Sequence, residues 1–411
     1  MASHSPPPPA KSASPPVPTT ILALTDDLLR EIFLRLPSLP SLIRAALACR
    51  AFRNAVRSSP AFRRRFRELH PHPLLGFFDS DGSKIPCFTP VRRRSDPDLA
   101  AAVRRADVFL TRVPCHDDAF PGWQIKDCRG GCLLLRNWRT EQIAVYDPLS
   151  GALDLLPSPP QKKISHAHRG KLIPMDYFLL SSGDEARRGS SFRVVSLCHD
   201  KSRLRAAVFS SATKEWQILP WSDPMPKQPA SGKYWLLSGR QVNGLMCWSH
   251  DKHSYMVLLD SSTWQFSCID LPETLKGQGH LYRAGGTKDG KLCIAAAIEF
   301  TLLVWFCRPD AANGAERWML EAIIPLEDAV LQATEGTRED HGALHVLGIL
   351  DGFVYLSTWE TFRDSTLPCW YLSFCNVGNF LFLHQNSKYY EILTICTKHN
   401  RRKETMEKGL G

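Results

Sequence analysis

RGGCLLLRNWRTEQIAVYDPLSGALDLLP, residues 129–157, has a rhythm that the chain repeats. A Gly pair opens a short apolar run. A polar turn leads to a second run ending on Asp147, and another turn leads to a third run that closes on Pro157. The same order recurs in FRVVSLCHDKSRLRAAVFSSATKEWQILP (192–220), NGLMCWSHDKHSYMVLLDSSTWQFSCIDLP (243–272) and DGKLCIAAAIEFTLLVWFCRPDAANGAERWMLEAIIP (289–325), and DGFVYLSTWE opens a fifth unit at Asp351. The closing prolines at 157, 220, 272 and 325 are 63, 52 and 53 residues apart. Dense turn signals between alternating apolar runs predict all-β structure. A period near fifty residues with about four strands per unit fits the blade of a β-propeller, an architecture that also protects strand edges. About six such blades fit between residues 75 and 390, the last one open to being incomplete. A β-sandwich or two stacked β-domains is the competing arrangement of the same runs.

The expected fold class is therefore α+β and multidomain, because the segment before the repeats is helical. Residues 24–67 read LTDDLLREIFLRLPSLPSLIRAALACRAFRNAVRSSPAFRRRFR. Thr25 is a helix cap, Asp26 and Asp27 suit the positive end of the dipole, and Leu28, Leu29, Ile32, Phe33 and Leu36 recur at helical spacing. Pro37 ends that helix. A second starts near Ser38 or Ser41 with Leu42, Ile43, Ala46, Leu47 and Cys49 as its apolar stripe. A third holds Phe52 and Val56, and Ser59-Pro60 starts a fourth with Phe62 and Phe66. So short a segment is marginal as an independent domain, which points to docking on a partner. An ordinary amphipathic subdomain is the alternative.

The pattern Leu24-x3-Leu28-Leu29-x2-Ile32-x3-Leu36-Pro37, then Leu42-x6-Cys49-Arg50-x-Phe52, resembles the F-box, a three-helix module that binds the Skp adaptor of cullin–RING ubiquitin ligases. Thr25 stands where that family usually has Pro and Phe52 where it usually has Trp; Thr keeps the cap and Phe keeps a large apolar anchor. The resemblance implies an adaptor-facing surface formed or supported by Leu28, Ile32, Leu36, Leu42, Cys49 and Phe52, with Leu24, Thr25 and Pro37 fixing the helix ends. DCRGGCLLL, VYDPLSGALDLLP and SSATKEWQILPW are similar to the F-box-associated propellers of plant, particularly grass, F-box proteins. The implied protein is a substrate-receptor subunit of a Skp–cullin–F-box ligase. Its partners are the Skp-type adaptor, through it the cullin–RING ligase, and a target protein. A propeller enzyme or carbohydrate binder, or a degenerate F-box protein without a ligase role, are the alternatives.

The resulting division is a Pro/Ser-rich leader over 1–20, a helical module over 21–70, the β region over 71–387 and a polar tail over 388–411. Within the β region, GFFDSDGSK at 76–84 reads as a strand and turn, and 96–110 as a capped helix leading into a strand. Net charge is +10 over 411 residues, and it sits at the ends: residues 1–75 carry +7 and 388–411 carry +3, leaving 76–387 neutral. A neutral middle argues against a broad phosphate-binding surface, and no nucleic-acid partner is expected. The 13 cysteines show no CxxC and no paired metal spacing, which fits thiols in a reducing compartment. The longest apolar stretch, 292–307, is too short to span a bilayer and contains Glu299. No membrane partner is expected, and a cytoplasmic or nuclear protein follows. GTKDGK at 286–291 has the wrong length for a P-loop and reads as a hairpin turn. His166 and His168 read as a surface loop, and the adjacency of Cys115-His116 and Cys198-His199 is no sign of a nucleophile and base. Trp123, Trp138, Trp216, Trp221, Trp235, Trp248 and Trp264 fit blade packing better than a binding cage. No catalytic residue, metal site or cofactor is expected.

Overall fold

The computed structural model describes residues 24–70, 75–79, 86–90, 97–114, 122–181, 191–226, 235–237, 239–250, 254–278, 282–287, 290–309, 316–334, 338, 341–350, 353–360, 369–373 and 383–385. The chain divides into two compact units, residues 1–74 and 75–411.

In the first unit, Thr25 caps α1 (Asp26–Leu34), its hydroxyl accepting the Leu28 N–H at 3.4 Å. Pro37 drives the residue before it out of the helical region. Ser38 then caps α2 (Leu39–Ala48). Cys49 is extended; it ends α2 and caps α3 (Arg50–Ser58), its sulfur accepting the Phe52 N–H at 3.5 Å. Ser59 caps α4 (Pro60–Leu69), with Pro60 at the first helical position. Leu29, Phe33, Leu42, Ala55, Phe62 and Phe66 form the core. Arg30 ties α1 to the end of α3. Its Nε donates to the Ala55 carbonyl at 3.0 Å, its guanidinium reaches Ser58 Oγ at 2.9 Å, and it pairs with Asp27 at 2.7 Å and Asp26 at 3.3 Å.

The second unit opens with a hairpin, β1 (Gly76–Asp79) paired with β2 (Cys87–Pro90), and helix α5 (Pro97–Arg105). The strand expected after α5 is instead a turn. Asp107 accepts hydrogen bonds from the Thr111 hydroxyl and the Arg112 N–H, and this local bonding folds the backbone back at Leu110 (φ 54°). The turn buries Leu110 and Val113.

Five four-stranded antiparallel meanders follow, the blades of a β-propeller. They are β3 to β6 (Trp123–Arg129, Cys132–Asn137, Ile143–Asp147, Ala152–Leu156), β7 to β10 (Ile173–Ser181, Phe192–His199, Leu204–Ser210, Glu215–Ile218), β11 to β14 (Arg240–Val242, Leu245–Ser249, Tyr255–Asp260, Phe266–Asp270), β15 to β18 (Tyr282–Gly286, Leu292–Ile298, Thr301–Pro309, Glu316–Pro325) and β19 to β22 (His341–Leu350, Phe353–Glu360, Cys369–Ser373, Leu383–Gln385). Pro157, Pro220, Pro272 and Pro325 each fall at or within two residues of the end of a fourth strand, which is why they mark the period. Against the expected count of about six, the described residues form five such sheets and the two-stranded β1–β2. The fifth sheet has its fourth strand, three residues long.

Each repeat covers the second to fourth strands of a blade; the first, the innermost, precedes the opening turn. Successive blades are held by apolar layers. Leu134, Tyr177, Leu179 and Phe209 join the first to the second. Phe178, Trp235, Met246 and Trp248 join the second to the third. Met256, Leu275, Tyr282 and Ile294 join the third to the fourth, and Phe300, Leu302, Leu344 and Ile349 the fourth to the fifth. Trp123, Trp235 and Trp248 are buried, as blade packing requires, whereas Trp138 is exposed. Bulges in two innermost strands aim carboxylates at the next blade. Asp127 Oδ2 accepts the Leu179 N–H at 2.8 Å. Asp176 Oδ2 accepts the Gly239 N–H at 2.7 Å and the Trp248 indole N–H at 3.0 Å.

The turn between the third and fourth strands repeats its geometry. Gly151, Lys214 and Trp264 occupy the left-handed region at φ 69°, 58° and 59°. Each donates its N–H to the carbonyl four residues back, at Asp147, Ser210 and Asp260. Only the first turn supplies glycine. Lys214 is exposed and meets Asp154 only at 3.8 Å. Lys214→Gly should therefore raise stability by about 0.5–1 kcal/mol, read as a higher urea midpoint in tryptophan fluorescence. The hairpin expected at GTKDGK joins antiparallel β15 and β16, where Thr287 and Lys291 bond each other; Lys288 and Asp289 lie outside the described residues.

Candidate docking surface

Helices α1 and α2 each carry two apolar rows. On α1, Leu29 and Phe33 turn into the core and Leu28 and Ile32, one position earlier in each case, turn out, 52% and 42% exposed. On α2, Leu42 is buried and Ala45 packs beside it, while Leu39, Ile43 and Leu47 form an outward row at i, i+4 and i+8, 51%, 49% and 72% exposed. A unit that has filled its core and still shows five large aliphatic side chains on two helices has apolar surface to give to a partner.

The structure separates the predicted site residues into two sets. Leu28 and Ile32 are on the surface. Leu24 and Leu36 are half-buried against the core, and Leu42 is inside it. Cys49 is a helix cap, and Phe52 is half-buried with its ring edge-to-face on Phe33 at 5.3 Å. Thr25 caps α1 and Pro37 is exposed at its end. Leu42, Leu36, Cys49 and Phe52 thus shape the module, and Leu28 and Ile32 face outward. Leu39 was missed by sequence reasoning, and Ile43 and Leu47 were placed in a single stripe with Leu42. The spacing 39-43-47 was visible as a second row, but periodicity does not say which of two apolar rows is covered.

Among the described residues of the β unit, the buried thiols are not activated as nucleophiles. Burial pushes the Cys128, Cys198 and Cys247 thiols up to about 12, so they stay protonated. Cys198 Sγ contacts the Arg205 carbonyl at 3.6 Å while His199 Nδ1 lies 2.9 Å from the Asp200 carbonyl, so the two neighbours do not pair. Cys115-His116 lies outside the described residues. Among the described residues no three His, Cys, Asp or Glu side chains are placed to hold a metal ion, and no helix is long and apolar enough to cross a membrane.

Residues 21–64 match the F-box domain, and residues 124–362, more than half of the chain, match the family described as F-box protein AT5G49610-like, beta-propeller. The chain belongs to that family. In this F-box protein the two outward rows therefore lie on the F-box itself. No curated protein matches it significantly. Solved structures similar to it include YCF48 bound to D1 peptide (11% identity, TM-score 0.33, covering 63% of this chain and 66% of that one). An oligogalacturonate lyase in complex with manganese is 10% identical with TM-score 0.35, covering 63% of each chain. The major Malassezia sympodialis allergen Mala s 1 is 10% identical with TM-score 0.33, covering 64% of this chain and 77% of that one. The F-box protein thus spans 66% and 63% of the first two of these structures.

Proposed function

We propose that this chain is the substrate-receptor subunit of a Skp–cullin–F-box ubiquitin ligase. The helical unit binds the Skp-type adaptor and, through it, the cullin–RING ligase, and the propeller holds a target protein. The observation that carries this reading is the pair of exposed rows, Leu28/Ile32 and Leu39/Ile43/Leu47, on a module whose core is already complete. The chain performs no bond chemistry itself. It contributes proximity: a target held beside the charged ubiquitin carrier reacts as if intramolecularly. Propeller loops, displayed by a rigid scaffold, are the surface offered to the target. The described cysteines are free thiols, which is in keeping with a cytoplasmic or nuclear location.

The test is capture of the purified full chain by a Skp-type adaptor. Ile32→Asp combined with Ile43→Asp places two carboxylates where apolar surface is to be covered. Both positions are exposed in the free chain, so helix content by circular dichroism should not change. Adaptor affinity should fall by roughly a hundredfold or more, about 3 kcal/mol. Unchanged capture with an intact fold would mean that the rows do not bind the adaptor.

A further inference from the structure

Helices α3 and α4 hold seven arginines between residues 50 and 67. On α3 they stand at Arg50, Arg53 and Arg57, spaced i, i+3 and i+7, which gathers them within about 60° around the helix axis. That arc lies opposite Phe52, Ala55 and Val56, which pack on the core. All three are exposed, as is Arg64 on α4. Among the described residues none of these four makes an ion pair. Arg30 shows what a structural arginine looks like in the same unit: half-buried, donating to Ala55 and Ser58 and paired with Asp26 and Asp27.

Local physics disfavours most of the α3 row in the free chain, with Arg57 alone suiting the dipole, in the last turn. Arg50–Arg53 and Arg53–Arg57 are like-charge pairs at i, i+3 and i, i+4, which repel. Arg50 also sits at the first position of α3, where the helix dipole is positive, and neither α3 nor α4 has an acid in its first turn. A row of like charges that makes no ion pair among the described residues is open to a partner of opposite charge.

We propose that the outer face of α3 is a docking surface for an acidic helical segment of a partner protein, with carboxylates at i, i+3 or i+4, and i+7. Guanidinium forks suit carboxylates geometrically, and three charges in one straight row, advancing about 4.5 and 6 Å along the axis, match the same spacing on a second helix. Nucleic acid fits less well. Tight duplex binding draws on a broad basic surface, and residues 76–387 are neutral. The apolar rows on α1 and α2 are separate from this face, so the inference does not depend on what binds them.

Fluorescence anisotropy of the full chain would test it against three labelled probes. One is an alanine–glutamate peptide of about 20 residues with glutamates at i, i+3 and i+7, long enough to be helical. The second is a peptide of the same composition with scrambled order, and the third a DNA duplex of similar charge. In low salt, where surface charge is least screened, the patterned peptide should bind at least fivefold tighter than the scrambled one and tighter than the duplex. Arg50→Gln, Arg53→Gln and Arg57→Gln together should weaken that binding at least tenfold while leaving the helical unfolding midpoint unchanged or higher. Equal binding of the two peptides, tighter binding of the duplex, or undiminished binding by the triple variant would overturn the proposal. So would a lowered midpoint, because the arginines would then be structural. Should the triple variant fail to fold, Arg53→Gln alone carries the same readouts.

Discussion

Gly285→Val should unfold the fourth and fifth blades from each other. Strands β15 and β19 approach so closely at this position that a Cβ on residue 285 would lie 2.3 Å from Ile349 Cβ and 2.8 Å from the Ile349 carbonyl oxygen. A backbone atom cannot swing aside as a side-chain tip can, so one strand must move. The motion strips Ile349 from a layer that includes Phe300, Leu302, Leu344 and Val346. The expected cost is about 3 kcal/mol or more, at the upper end for overpacked cores. Gly286→Ala is the control. Its Cβ would meet only Val242 Cγ1, at 3.1 Å, a contact that a side chain can relax. All 11 tryptophans lie at residue 123 or later, so intrinsic fluorescence in urea reports on the β unit alone. If Gly285→Val and Gly286→Ala shift the midpoint equally, the innermost strands are not as closely packed as described.

Asp200→Ala should destabilise the second blade by about 3–5 kcal/mol and change how the protein responds to acid. The Asp200 carboxylate is fully buried and accepts from the Arg169 N–H at 2.9 Å, the Ser202 N–H at 2.9 Å, the Arg203 N–H at 2.8 Å and the Arg203 guanidinium at 2.6 and 3.0 Å. Alanine leaves all of these donors, one of them charged, without their acceptor. Burial by itself would raise the carboxyl's pKa; the hydrogen bonds from Ser202, Arg203 and Arg169 outweigh it and hold it below the ordinary 3.8. A depressed carboxylate stabilises the fold above its unfolded pKa, and that stability is lost as pH falls through the lower folded value. His199 next to it is also fully buried, and burial holds its imidazole below the ordinary 6.5. As pH falls below about 6.5, the unfolded chain takes up a proton that folded His199 refuses, so stability declines there as well. Wild type should thus lose stability in two acid steps, one beginning below about pH 6.5 from His199 and one below about pH 4 from Asp200. Asp200→Ala should shrink the second, leaving the part due to Asp107 and Asp260, whose hydrogen bonds also hold their carboxyls below the ordinary 3.8. An unchanged profile below pH 4 in the variant would show that other carboxylates govern acid unfolding.

Much of the architecture was visible in local chemistry. Thr25, Ser38 and Ser59 cap the helices they were expected to cap or start, because a short hydroxyl beside an apolar period has few other uses. Pro157, Pro220 and Pro272 fall just past blade ends because proline disrupts a ladder. The strand expected near Val108–Leu110 failed for a reason of the same kind: the Asp107 carboxylate bonds forward to Thr111 and Arg112 and wins over the apolar alternation. Innermost strands such as β11, three residues long, were hard to read because they carry charged residues and little periodicity.

Sequence alone determined that a capped helical module precedes a series of β-meanders, since capping, turn chemistry and apolar period act over a few residues. Only the tertiary structure decided which apolar row of α1 and of α2 is used up inside the module. Leu28 and Leu29 are equally apolar neighbours on one helix; packing against α3 and α4 buries the second and leaves the first outside. The same is true of the arginines. Arg30 and Arg53 look alike in the sequence, and the fold gives one a set of acceptors that includes Ala55 and Ser58 and leaves the other facing water, because partnership depends on residues distant in the chain.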